Sequence, residues 1–349
     1  GSEMCIRDST YTNRHDDYVN QEGYVPTTYT RIREQNLAGY AQYSHPLPFG
    51  QANIGLRYEH VDFDYFENAT FVPGQSRVYD NIFPNISVNG QLGKVQFQVS
   101  YAAKTQRPNY SQLRNNITYA NRFTWQTGNP LLKPSVTHDI TAVGVWRFFQ
   151  AMVSYKVVRD YILYWGTQVE NQSATTLINY INHDRLPSLT VMLAASPTIG
   201  IWNLNASAIV MKQWFSLDAA GQRRTYNNPL FVGSLNNTFT LPAGFLLSAD
   251  FNYQSRGQVQ NITLKRPQYT LNIGLRKSLF NDALSIEARA NDLLLGCKQE
   301  ALLYMESAQM KDLSWSDTRS FSLTVRYKFN AAKSKYKGTG AGQDTINRM

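Results

Sequence analysis

The stretch that decides the fold is SFSLTVRYKF, residues 320–329. Phe321, Leu323, Val325, Tyr327 and Phe329 share one parity, while Ser322, Thr324, Arg326 and Lys328 share the other. Successive side chains of a strand point to opposite faces, so this segment has one apolar and one polar face. The pattern recurs upstream. Val95, Phe97, Val99 and Tyr101 alternate with Gln96, Gln98 and Ser100; Tyr269, Leu271, Ile273 and Leu275 alternate with Thr270, Asn272, Gly274 and Arg276. Leu284, Ile286, Ala288 and Ala290 alternate with Ser285, Glu287, Arg289 and Asn291. Amides and charges behind a greasy face are what a wall between lipid and a polar lumen requires.

The connections between these segments alternate in length. Short turns are expected near 45–50, 89–93, 147–149, 197–200, 242–244 and 280–282. Longer polar connections fall at 67–80, 106–135, 166–175, 217–225, 255–262 and 294–313. Brief periplasmic turns and larger extracellular loops are the rhythm of an up-and-down transmembrane β-barrel. Segments 51–65 and 150–164 run unbroken, longer than the ~5–6 residues usual in soluble sheets. The expectation is an all-β, antiparallel barrel wall of about 13 strands between residues 33 and 329. Tyr58, Tyr101, Trp146, Tyr164, Trp165, Trp202 and Tyr327 are the expected interfacial aromatics. A soluble sandwich or propeller also alternates, but its strands are shorter and its loops lack this rhythm.

Composition agrees. Charged residues make up 17% of the 349, against 13% aromatics, and a soluble domain usually carries about 25% charged residues. The net charge of +9 comes with no basic helix or stacking platform, so no nucleic-acid partner is expected. Cys5 and Cys297 are too isolated to form a motif. Residues 1–9, GSEMCIRDS, have no periodicity and are taken as a non-native leader or assembly scar. Single-chain barrels of bacterial outer membranes carry an even number of strands. An odd count and the lack of a secretory signal therefore suggest a partial barrel over 10–330, with 10–21 the remnant of a further strand. Residues 331–349, with Lys333, Lys335 and Lys337, form a basic periplasmic tail.

Three stretches carry a family resemblance: EQNLAGYAQYS at 34–44, RPNYSQL at 107–113 with GNPLLKP at 128–134, and YKFN at 327–330 with the tail KYKGTGAG at 335–342. Together, over about residues 30–349, they resemble the C-terminal barrel of a TonB-dependent outer-membrane receptor of the Bacteroidota type. The resemblance implies a bacterial outer-membrane location and a barrel of about 22 strands. It also implies a plug domain outside this chain, a TonB-type energy-coupling complex acting through that missing part, and import of a scarce small ligand. Outer-membrane lipid is the further partner. A non-transporting barrel, serving as adhesin or assembly platform, is the alternative.

No enzyme, cofactor, catalytic residue or metal ligand is expected, because His15, His45, His60, His138 and His183 are scattered without ligand spacing. His15-Asp16-Asp17 reads as a solvated loop, and Glu287 with Arg289 as a lumenal charge pair. The connection 107–134 holds the ligand-contact candidates Tyr110, Tyr119, Trp125 and Asn129, since aromatics beside amides suit stacking on a sugar or gripping a peptide. The plainer reading is that its prolines and aromatics fold the loop onto itself.

Overall fold

The computed structural model of the chain describes residues 2–15, 18–20, 23–25, 28–121, 123–169, 172–280, 283–306 and 309–329, with side chains from Tyr29 onward except 172–174. Fourteen long strands form the wall. They are β1 (Ser2–His15), β2 (Thr28–Leu47), β3 (Gly50–Glu67), β4 (Arg77–Leu92) and β5 (Val95–Gln106). Next come β6 (Ser135–Trp146), β7 (Phe149–Val169), β8 (Gln172–Ala195), β9 (Trp202–Gln213) and β10 (Leu230–Leu241). The wall ends with β11 (Phe245–Gln254), β12 (Gln268–Leu279), β13 (Leu284–Asn291) and β14 (Ser320–Tyr327). Each pairs antiparallel with the next in a sheet of 18 strands once short segments are counted. From β2 onward there are thirteen, the number the alternation predicts. β1 takes in residues 2–9, which the sequence reading set outside the fold; its backbone runs along β2 from Ser2↔Ala41 to His15↔Thr28.

The short turns fall where expected. Pro48–Phe49, Gly93–Lys94, Arg147–Phe148 and Pro242–Gly244 each reverse the chain within two or three residues. The connection predicted at 166–175 is different: β7 and β8 stay paired from Phe149↔Ala195 to Val169↔Gln172. This hairpin overshoots the membrane. A membrane-spanning strand needs only about 9–11 residues, whereas β7 has 21 and β8 has 24. Tyr164 and Trp165 therefore leave the expected aromatic belt. Trp165 is buried beside Leu163, and Tyr164 packs near Ile178 and Met305. Trp146, Trp202 and Tyr327 lie at strand ends on the apolar face, with Trp146 stacked on Phe149 and Trp202 on Phe239, while Tyr58 and Tyr101 lie on that face in mid-strand.

Strand β3 shows how the two faces are used. In its first half Ile54, Leu56 and Tyr58 point outward and are 54%, 50% and 44% exposed, while Arg57 and Glu59 point inward. Beyond Tyr58 the polarity reverses: Val61, Phe63 and Tyr65 point inward and are buried, and His60, Asp62 and Asp64 point outward. The neighbouring β2 reverses at the matching height. Leu37, paired with His60, is outward and exposed; above it Gln35, Arg33 and Arg31 are outward, and Ile32 is inward and buried. The reversal marks where lipid ends. Below it the outer face meets hydrocarbon; above it both outside and inside meet water, so apolar groups turn inward to pack.

The buried residues collect at the long-loop end in three clusters. The first joins Leu163, Trp165 and Leu186 to the loop hairpin Phe215–Ala219 and Gln222–Tyr226. The second joins Ile32, Phe63 and Tyr65 to Tyr110, Leu113 and Leu132, and the third joins Ile178 to Leu303 and Met305. A Cβ at Gly166 would stand 2.2 Å from the Met305 sulfur, so only glycine lets that side chain seat. The wall remains open: pairings run from β1 to β14, and none joins these two ends among the described residues. Every residue of β14 is exposed.

Candidate functional site

The site is the mouth at the long-loop end, and the connection 107–134 builds most of it. One helical turn, α1 (Tyr110–Leu113), is closed by Asn109, whose N–H donates to Gln112 Oε1 at 2.9 Å. The turn points Tyr110 and Leu113 down onto Ile32, Phe63 and Tyr65, where they are 1% and 2% exposed. Leu132 enters the same cluster from the other end of the loop. Burying a side chain of this size stabilises by about 1.5–3 kcal/mol, so the three together hold the loop against the wall rather than onto itself.

Polar bonds fix its position. The Asn129 N–H donates to Gln112 O at 2.6 Å, and its Nδ2 donates to Tyr180 O at 2.9 Å. Its Oδ1 accepts from the Leu131 N–H at 2.9 Å. Arg77 donates to Leu131 O at 2.9 Å and also to Pro130 O. Asn182 Oδ1 accepts from the Lys133 N–H at 2.8 Å, and Asn182 Nδ2 donates to Asp160 O at 2.7 Å. Gly128 is required by close approach: a Cβ there would lie 2.4 Å from Gln112 O and 2.5 Å from Arg114 O. The loop is thereby bolted to β4 and β8, and Asn182 ties β8 to β7 beside it.

An ionic latch lies beneath. Arg107 Nη1 donates to Glu34 Oε1 at 3.1 Å, and its Nη2 donates to Glu59 Oε2 at 2.8 Å. Arg57 Nε donates to Glu59 Oε1 at 2.6 Å. The side chains of Glu34, Glu59 and Arg107 are only 5%, 8% and 14% exposed. Two carboxylates and two guanidinium groups balance, which allows charge to sit at this depth. The space left between latch and loop is a cavity of 20 Å³, room for about one water molecule.

Below the latch the inward face is polar. Asp139 accepts from Thr141 and Ser154 at 2.8 and 2.9 Å, with Lys156 at 3.8 Å. The expected pair of Glu287 and Arg289 is present at 3.9 Å, and Arg289 lies closer to Asp250, at 3.3 Å. A recess of 490 Å³ at the short-turn end is lined by Asn89, Gln91, Gln96 and Gln98 together with Val143 and Val145. A concavity of 770 Å³ lies elsewhere, between Trp146, Phe149, Leu193, Ala208, Phe231 and Phe251. These residues share the outward parity of Ile140 and Tyr155 through the registers of β6 to β11. That trough faces lipid, not the lumen.

The four candidate residues separate. Tyr110 supports the apolar cluster, and Asn129 gives its amide to the loop's own anchoring. Tyr119 and Trp125 meet edge to face at 5.1 Å on the tip hairpin Thr118–Asn121 and Thr124–Gln126, beside exposed Phe123. The latch of Arg57, Glu34, Glu59 and Arg107 escaped the sequence reading. Its signal was present: Glu34, Arg57 and Glu59 sit on polar inward positions, and Arg107 opens the RPNYSQL stretch. Among the described residues no group of His, Cys, Asp and Glu is placed to hold a metal ion. The side chains of His15-Asp16-Asp17 and of Cys5, and the tail lysines Lys333, Lys335 and Lys337, lie outside the described residues.

An amphipathic antiparallel wall with an apolar exterior, a polar interior and loops gathered over one end defines a transmembrane barrel of the bacterial outer membrane. The chain belongs to the outer membrane protein beta-barrel family, which it matches over residues 3–327. Among solved structures it is similar to the ferric yersiniabactin uptake receptor FyuA from Yersinia pestis, at TM-score 0.63 and 13% identity, covering 93% of this chain and 50% of that one. It is also similar to the copper transporter OprC, at TM-score 0.62 and 11% identity, covering 94% of this chain and 54% of that one. The ferric-catecholate import receptor Fiu from E. coli K12 aligns at TM-score 0.56 and 12% identity, covering 94% and 51%. The chain thus spans about half the length of these structures. Nothing among curated proteins matches it.

Proposed function

We propose that this chain is the C-terminal barrel portion of a TonB-dependent receptor that imports a scarce ligand across the outer membrane. The observation that carries this reading is the contrast between the mouth and the lumen. Apolar packing and the latch hold the loop 107–134 over the mouth, while the wall below offers amides and charges to the lumen. The recess at Asn89, Gln91, Gln96 and Gln98 has the hydrogen-bonding character to receive a plug domain supplied by the rest of the protein. That plug, drawn by a TonB-type energy-coupling complex, would open the lumen. The similar solved structures are named as an uptake receptor, a copper transporter and an import receptor, which supports a transport role at the level of the fold.

Within the mouth, Tyr119 and Trp125 are the proposed ligand contacts, because the tip hairpin carries them toward exposed Phe123. Tyr110 and Asn129 hold the loop that presents them. Residues 1–9 are read as a non-native leader and 331–349 as a basic periplasmic tail. The test is uptake of a ligand panel by the complete protein with and without an energised inner membrane. Uptake that requires energy supports the receptor; surface binding with no uptake in either state would leave a non-transporting adhesin or platform.

A further inference from the structure

At the long-loop rim, where β11 ends and the chain returns to β12, lies a second open cavity of 730 Å³. Its lining includes Tyr253, Ser255, Arg256, Thr263 and Lys265. Tyr253 belongs to the outward face, since it also lines the lipid-facing trough and pairs across to Tyr269. The two tyrosines mark the aromatic belt at this height, and the cavity opens directly above them. Its chemistry differs from the trough: hydroxyls and cations stand beside the apolar carbons of Leu264 and Pro267.

The charge is only partly compensated. The Arg256 side chain makes no hydrogen bond or ion pair among the described residues, and Lys265 likewise donates no side-chain hydrogen bond. The nearby carboxylate Glu300 is already claimed by Lys311 at 2.9 Å and Arg266 at 3.3 Å. The hydrogen bond from Lys311 holds its carboxyl below the usual range, assisted by the fields of Arg266 and Lys265. Three cations, Lys311, Arg266 and Lys265, thus act on the single carboxylate of Glu300. Exposed cations placed at a lipid–water boundary select anionic headgroups.

We propose that this rim cavity binds a phosphate of the phosphorylated glycolipid of the outer leaflet, with Arg256 and Lys265 as the charged contacts. The lipid source follows from position. The cavity opens beside Tyr253, a belt tyrosine of the outward face. Arg256 supplies a planar fork suited to two phosphate oxygens, and Lys265 a compact point charge. Thr263, whose Oγ1 accepts from Gln258 Nε2, adds a hydroxyl donor.

The experiment uses the complete protein in detergent, stripped of lipid, then offered the phosphorylated glycolipid or its enzymatically dephosphorylated form, with bound lipid counted by native mass spectrometry. The proposal expects the phosphorylated form alone to be retained, and the double variant Arg256→Gln, Lys265→Gln to lose at least about tenfold in retention. Lys94→Gln, at the opposite end of the wall, should retain lipid as the unaltered protein does. Equal retention of the dephosphorylated form overturns the proposal without any variant, so a folding defect cannot hide the answer. Undiminished retention by a double variant that still migrates as folded barrel also overturns it. Complete displacement by millimolar inorganic phosphate would assign the cavity to a free anion and so reject the lipid.

Discussion

The lower and upper halves of β3 are made from the same alternation and obey opposite rules. Below Tyr58, apolar side chains point away from the barrel and Arg57 and Glu59 point into it. Above Tyr58, Val61, Phe63 and Tyr65 point in and His60, Asp62 and Asp64 point out. Period-two patterning specifies a strand and its two faces; the surrounding solvent decides which face is the inside. Where lipid surrounds the wall, the lumen is the wet side. Where water surrounds it, the lumen becomes the core, and the loop 107–134 fills it.

The largest test of this contrast lies at the junction of the two halves. Arg107→Ala leaves Glu34 and Glu59 buried beneath the loop with one guanidinium between them, and breaking a buried pair costs about 3–5 kcal/mol. Denaturant unfolding of the complete protein should show that loss, with the loop 107–134 becoming the first site of protease cleavage. A normal unfolding midpoint would mean the latch is an ornament. Next, Ile54→Arg puts a charge on the lipid side, midway between the turn at Gly50 and Tyr58, at a cost of about 2–4 kcal/mol. The same arginine at Asp64, outward but above the reversal, should stay within about 0.5 kcal/mol. Equal penalties at the two positions would erase the distinction between halves.

Gly128→Ala should cost about 1–3 kcal/mol through forced displacement of the Gln112 and Arg114 carbonyls. Its signature is faster hydrogen exchange at the Asn129 N–H with the lower wall unchanged. The smallest effect is an acid one. Glu300 has a depressed carboxyl in the small sheet above the mouth, so its contribution is complete above its ordinary value of 4.5 and fades as pH falls through its lowered one. Exchange in Lys298–Tyr304 and Gln309–Trp315 should quicken in that window and become pH-independent in Glu300→Gln.

What the sequence made legible follows from this. The wall is repetitive, so local alternation in 95–101, 269–276 and 320–329 was enough to place strands, short turns and their number. The reversal was not legible, because Val61, Phe63 and Tyr65 continue the same alternation that Ile54 and Leu56 begin, only on the other parity. Tyr164 and Trp165 were assigned to the belt for the same reason: nothing local says that β7 has already left the lipid. The latch depends on contacts between residues 34, 57, 59 and 107, distances along the chain that no periodicity reports. In the loop, aromatic and amide content was visible, but which of Tyr110, Tyr119, Trp125 and Asn129 faces inward depends on the wall beneath.

The reversal of polarity also works as a waterline. On the outer surface it runs from Leu37 and Tyr58 past Tyr101, and outward Arg31, Arg33, Asp62 and Asp64 stand just above it. A bilayer a few ångströms thinner would bare some apolar surface, which lipids and the protein accommodate cheaply. A thicker one would drown those charges in acyl chains, on a wall too stiff to let them retreat. The protein is therefore draughted for a shallow membrane, and its tolerance of lipid thickness is one-sided.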